Sequence, residues 1–80
     1  MDNNDSLHQV MSDILLIDPT TINDDTSVDT VETWDSLKHL NLVLALEEKF
    51  DVSFTEDQTI EMLSYPLIRI VLQEHGIVFS

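Results

Sequence analysis

The sequence contains no cysteine, one glycine, two prolines and only three Lys and Arg residues among its eighty. Without cysteine there is no disulfide, no thiolate zinc site and no cysteine nucleophile. With so little glycine and proline, the turns that hairpins need are scarce, which argues against an all-β fold. The few basic residues face sixteen Asp and Glu, for a formal charge of −13. Such a chain repels nucleic-acid phosphate and anionic lipid, so neither is expected as a partner. Long apolar runs are missing too. The longest, Leu42 to Leu46, is far short of a membrane span. The first residues are acidic and polar and do not read as a secretory signal. The expectation is a monomeric, cytoplasmic protein.

What is present suits a small helical domain. The hydrophobic content of 42% is that of a globular chain, so the acidity does not mark a disordered tail. A domain of this size buries only about 60–65% of the surface its unfolded chain exposes. It therefore has little room for a deep catalytic cleft, and no enzyme is expected.

Leu7, Val10, Met11, Ile14 and Leu15 recur at the spacing of one helical face. They predict a first helix over about 5–16, capped by Asn4, Asp5 or Ser6 and closed by Asp18-Pro19. Residues 18–35 read as a long polar loop anchored by Ile22, Val28, Val31 and Trp34, with Trp34 packed in the core or at its rim. The strongest helix runs from Ser36 to Phe50, with Asp35 as N-cap and Asp51 leading out. A short third helix is expected near 56–62, opened by Thr55. Ser64 caps a last helix with Pro66 in its first turn, an apolar side of Leu67, Ile68, Val71 and Leu72, and Gly76 just past its end. The tail Ile77-Val78-Phe79 has no place that the pattern assigns. The expected fold is all-α: one domain over 1–80, core about 5–76, forming a four-helix bundle with a long first loop and a short third helix.

At about 100° per residue, the second helix has two apolar stripes. Leu42, Val43, Leu46 and Phe50 form the expected core stripe. Leu37, Leu40 and Leu44 form another, roughly 120–150° away. Either the long loop covers this second stripe or it is a docking surface for partner proteins, the reading favoured here. Ser36 stands at its edge, at a helix N-terminus whose free N–H groups and dipole suit a phosphate. Asp35, Ser36 and His39 could be imagined as a hydrolase triad. The Gly-x-Ser-x-Gly elbow and a Gly-rich oxyanion segment are both missing. His8 and His75 lie near the two ends, no helix carries paired histidines, and Asp24, Asp25 and Asp29 lack the spacing of a calcium loop, so no metal site is expected.

The run Trp34-Asp35-Ser36-Leu37-Lys38-His39-Leu40-Asn41-Leu42-Val43-Leu44-Ala45-Leu46-Glu47-Glu48-Lys49-Phe50-Asp51 resembles the attachment helix of acyl carrier proteins. Chain length, acidity, the long first loop and the short third helix extend that resemblance over residues 7–75. It implies a 4′-phosphopantetheine arm from coenzyme A, attached to Ser36 between Asp35 and Leu37 by a phosphopantetheinyl transferase. The arm's thiol would carry acyl or related intermediates as thioesters. Loading, elongating or transferring enzymes with basic docking patches would read Leu37, Leu40, Leu44, Glu47 and Glu48. Glu56 and Asp57 would steer them. Thr33 stands where the family usually has glycine, and Lys38 beside Ser36 opposes a basic partner. Both point away from housekeeping fatty-acid synthesis and towards a discrete, specialised carrier in polyketide, aminoacyl or unusual acyl chemistry. The alternative is an acidic helical interaction module, or nucleic-acid mimic, without a prosthetic group.

Overall fold

The computed structural model describes residues 2–79 and shows a compact all-α chain. Its elements are α1 (Asn3–Leu15), a 3-10 turn (Pro19–Thr21), α2 (Ser36–Phe50), α3 (Glu56–Glu61) and α4 (Tyr65–Glu74). The four expected helices, the long first connection and the short third helix are all present.

Helix α1 begins earlier than its apolar face. Asp2 is the N-cap, and its carboxylate accepts from the Asp5 N–H at 2.8 Å, ahead of the three capping candidates in the sequence. The helix also ends before Asp18-Pro19. Leu16 turns left-handed at φ 61°, and its N–H returns to the Ser12 carbonyl at 2.9 Å. Asp18 instead caps the 3-10 turn, accepting from the Thr20 N–H at 2.9 Å and the Thr20 hydroxyl at 2.7 Å. These two bonds, the backbone one first, hold its carboxyl below the ordinary value of 3.8. Helix α2 is capped and ended as its sequence indicates, with Asp51 left-handed at φ 54°. Helix α3 opens on a full capping box. The Thr55 hydroxyl accepts from the Gln58 N–H while the Gln58 side chain accepts from the Thr55 N–H. Ser64 caps α4, and Gly76, at φ 88°, takes the left-handed position after it.

Leu7, Met11 and Leu15 of α1 pack with Leu42 and Leu46 of α2 and with Ile68, Val71 and Leu72 of α4, joined by Met62 and Tyr65. Val10, Ile14 and Phe50 are partly buried around them. Leu67 departs from expectation. It is 42% exposed, and Tyr65 takes the buried place on the α4 face. Tyr65, Ile68 and Leu72 share the inward line at i, i+3 and i+7, which turns Leu67 aside. The Tyr65 hydroxyl is paired with His8 Nε2 at 2.9 Å, and burial raises its pKa above 10.0. The tail acquires a place. Ile77 and Phe79 pack on the core, the Val78 carbonyl accepts from Asn3 Nδ2 at 2.8 Å, and the Arg69 guanidinium lies between the Tyr65 and Phe79 rings.

The long loop is ordered by anchors at both edges. Ile22 and Trp34 are buried, and Val28 and Val31 are partly so. Val28 N–H donates to the Leu63 carbonyl at 3.0 Å and Tyr65 N–H donates to the Thr26 carbonyl at 2.8 Å, flanking a bridge between Ser27 and Ser64. The Thr33 hydroxyl donates to the Leu15 carbonyl at 2.5 Å. The segment before Ser36 is thus pinned to the end of α1 on one side and to the α3–α4 connection on the other.

Candidate functional site around Ser36

Ser36 is the first residue of α2 and is exposed. Asp35 positions it. With extended backbone at the N-cap, Asp35 accepts at its carboxylate from the Lys38 N–H at 2.9 Å. Its carbonyl accepts from the His39 N–H at 2.8 Å and starts the helix ladder. The Asp35 carboxylate is therefore engaged in capping, and the serine stands clear at the end where backbone N–H groups and dipole favour an anion.

Two apolar hollows open beside this serine. One, of about 450 Å³, lies between α2 and α3. Its walls are Ser36, His39, Leu40 and Val43 on α2, Thr59 and Ile60 on α3, and Leu63 beyond it. The other, of about 410 Å³, runs back under the loop along Val28, Trp34 and Asp35, and shares Ser36, His39 and Leu63 with the first. A hollow of about 480 Å³ under the loop, between Ile17, Thr21 and Thr33, does not reach Ser36.

Trp34 is 4% exposed, the core placement expected of it. Its indole Nε1–H donates to His39 Nδ1 at 3.1 Å, and His39 Nε2 pairs with the Thr59 carbonyl at 2.8 Å. His39 thus bridges the loop, α2 and α3.

Leu42, Val43 and Leu46 are buried, while Leu37, Leu40 and Leu44 are more than half exposed, so the loop does not cover the second stripe. Leu40 also lines the α2–α3 hollow, which Leu37 and Leu44 do not. Glu48, Glu56 and Asp57 are exposed. The Glu47 carboxylate accepts from the Phe54 N–H at 2.8 Å and so secures the turn after α2. Ile60 and Leu63, 62% and 41% exposed, add apolar surface across from the stripe. They lie in a short helix and its exit, too short a stretch for periodicity to single them out.

Among the described residues no group of three His, Cys, Asp or Glu is placed to hold a metal, and no helix is long and apolar enough to cross a membrane. Compared with known proteins, the chain matches no family model and no curated sequence.

Proposed function

We propose that this protein is a carrier whose Ser36 bears a 4′-phosphopantetheine arm and which presents acyl or related thioesters to partner enzymes. The observation that carries the reading is the apolar hollow of about 450 Å³ that begins at an exposed serine on a helix N-terminus. The resemblance of residues 34–51 to the attachment helix of acyl carrier proteins supports it from the sequence side.

The residues present fit such an arm. The N–H groups at the start of α2 and its dipole suit a phosphodiester on Ser36 Oγ. The apolar walls given by Leu40, Val43, Ile60 and Leu63 suit an apolar cargo led away from that point. When bound, the arm supplies a thiol that this cysteine-free chain does not have, and holds its cargo as a reactive thioester. The chain's own part is to attach, present and shelter. In attachment, Ser36 Oγ loses its proton and gains a phosphodiester bond, while adenosine bisphosphate leaves from coenzyme A. Asp35 holds the first turn in place throughout. The chemistry of the cargo falls to the partners.

Those partners would dock on Leu37, Leu40 and Leu44, with Glu47, Glu48, Glu56 and Asp57 drawing basic surfaces. Lys38 beside Ser36 would disfavour partners that place a cation there, which supports a specialised role.

The test is intact mass after incubation with coenzyme A and a broad-specificity phosphopantetheinyl transferase. Wild type should gain one arm. Ser36→Ala should gain none and keep the helical circular dichroism of the parent. No gain on wild type would favour the interaction-module alternative, and a gain on Ser36→Ala would move the site elsewhere.

A further inference from the structure

We propose that His39 is the positioning residue of the Ser36 end of α2: its neutral ring holds the Trp34 segment and α3 in register on either side of Ser36, and protonation releases the Trp34 side. The consequence for Ser36 rests on the carrier reading above, whereas the coupling itself does not.

The chemistry of the two partners fixes the ring's tautomer. An indole N–H can only donate, so Nδ1, 3.1 Å from Trp34 Nε1, must be unprotonated. A carbonyl oxygen can only accept, so Nε2, 2.8 Å from the Thr59 oxygen, must carry the hydrogen. Only the neutral Nε2–H form makes both bonds. His39 lies three residues after Ser36, on the same helical face, and both hollows beside Ser36 have His39 in their walls.

Helix α3 depends on such tethers. Among the described residues, none of those in α3 is buried. Besides the His39 bond, its polar ties include Gln58 Oε1 with His75 Nε2 at 2.9 Å and Gln58 Nε2 with Glu74 at 3.2 Å. On the other side of Ser36, Trp34 is buried and has its indole N–H on the same imidazole.

A second proton on His39 would go to Nδ1. Two donors would then face each other, and a buried indole N–H would lose its partner. The Thr59 bond would survive, because Nε2 still donates. The elements around the ring carry Asp35, Lys38, Glu47, Glu48 and Lys49 on or capping α2, Asp18, Asp24, Asp25, Asp29 and Glu32 in the loop, and Glu56, Asp57 and Glu61 on α3. Of these, Asp35 alone lines either hollow, with its carboxylate engaged by the Lys38 N–H. His75 donates to Gln58 and keeps that bond when charged, so α3 stays tethered as Trp34 is released.

The test uses the unmodified protein first, as wild type, His39→Gln and His39→Leu. Glutamine offers an accepting oxygen and a donating nitrogen at similar reach and does not titrate. Histidine ¹⁵N resonances and the emission of Trp34, the sole tryptophan, are followed from about pH 8 to pH 5, the span in which imidazoles charge. Wild type should show an unprotonated Nδ1 at the upper end. On acidification, Trp34 emission and its indole proton should change with the same midpoint as His39. His39→Gln should keep the high-pH Trp34 spectrum throughout. His39→Leu should show the released spectrum at every pH. A protonated Nδ1 at the upper end would overturn the proposal. So would a Trp34 response that persists in His39→Gln, which would then originate at His8 or His75. If His39→Leu does not fold, wild type and His39→Gln still decide.

The second readout is the rate of arm transfer to Ser36. His39→Leu should lose roughly threefold or more in kcat, the scale of a small misplacement of a reacting group, and His39→Gln should recover most of that loss. Equal rates for Leu and wild type would refute positioning at Ser36. If wild type takes no arm at all, the carrier reading fails, while the spectroscopic arm still judges the coupling.

Discussion

At the scale of single residues, the scarcity of glycine leaves a visible mark. Among the described residues three positions take a left-handed backbone, and the lone glycine serves only one of them, at residue 76. Asp51 serves the end of α2, where its short polar side chain tolerates the conformation. Leu16 serves the end of α1 and has no such excuse: it is 70% exposed and sits at φ 61°. A left-handed β-carbon costs about 1 kcal/mol, and little packing at Leu16 offsets it. Leu16→Gly should therefore stabilise the fold by up to about 0.5 kcal/mol, the relieved strain slightly exceeding the entropy glycine adds to the unfolded chain. Urea unfolding would show this as a higher midpoint at unchanged slope. A lower midpoint would mean that the Leu16 side chain holds the start of the loop.

At the scale of elements, α2 carries the division of labour. One side enters the core through Leu42 and Leu46, both fully buried. The other leaves Leu37, Leu40 and Leu44 in solvent beside Ser36. The helix needs only the first for its stability. Leu46→Ala should cost about 2–5 kcal/mol, a large part of the stability of so small a domain. Leu44→Ala should change stability by less than about 0.5 kcal/mol, because it empties no packed volume. Equal losses for the two, measured by thermal or denaturant unfolding, would mean that the exposed stripe is covered in solution. The two stripes could be separated from the sequence because a helix has a single geometry. Which of them faced inward was also legible, since Phe50 extends one stripe to four residues. That the long loop would leave the other bare was the favoured of two readings, and the structure decided between them. The loop's course is set by the Val28, Tyr65 and Thr33 hydrogen bonds, all made to partners distant in the chain.

At the scale of the whole molecule, the net charge of −13 is held within a domain of 11.3 Å radius of gyration. Like charges repel more in the compact state than in the unfolded chain, and salt relieves this. The melting temperature should rise from low to moderate ionic strength. A gain of about 1 kcal/mol would appear as roughly 4–8 °C in a domain of this size. A flat or falling curve would show that favourable local pairings outweigh the overall repulsion.

The sequence by itself determined the helices, their caps at Asp35, Thr55 and Ser64, the inward face of α2, and the place of Ser36 at a helix start. All of these follow from periodicity and local hydrogen bonding within a few residues, which a chain carries wherever it goes. The tertiary structure decided the rest. It placed Ile60 and Leu63 across from Leu40, turned Leu67 outward, and gave the C-terminal tail its seat on Arg69 and Asn3. It also set His39 between Trp34 and Thr59, twenty residues beyond it. No local pattern encodes these contacts, because each depends on the distance and angle at which separate helices pack, and that is settled only when the shared core closes.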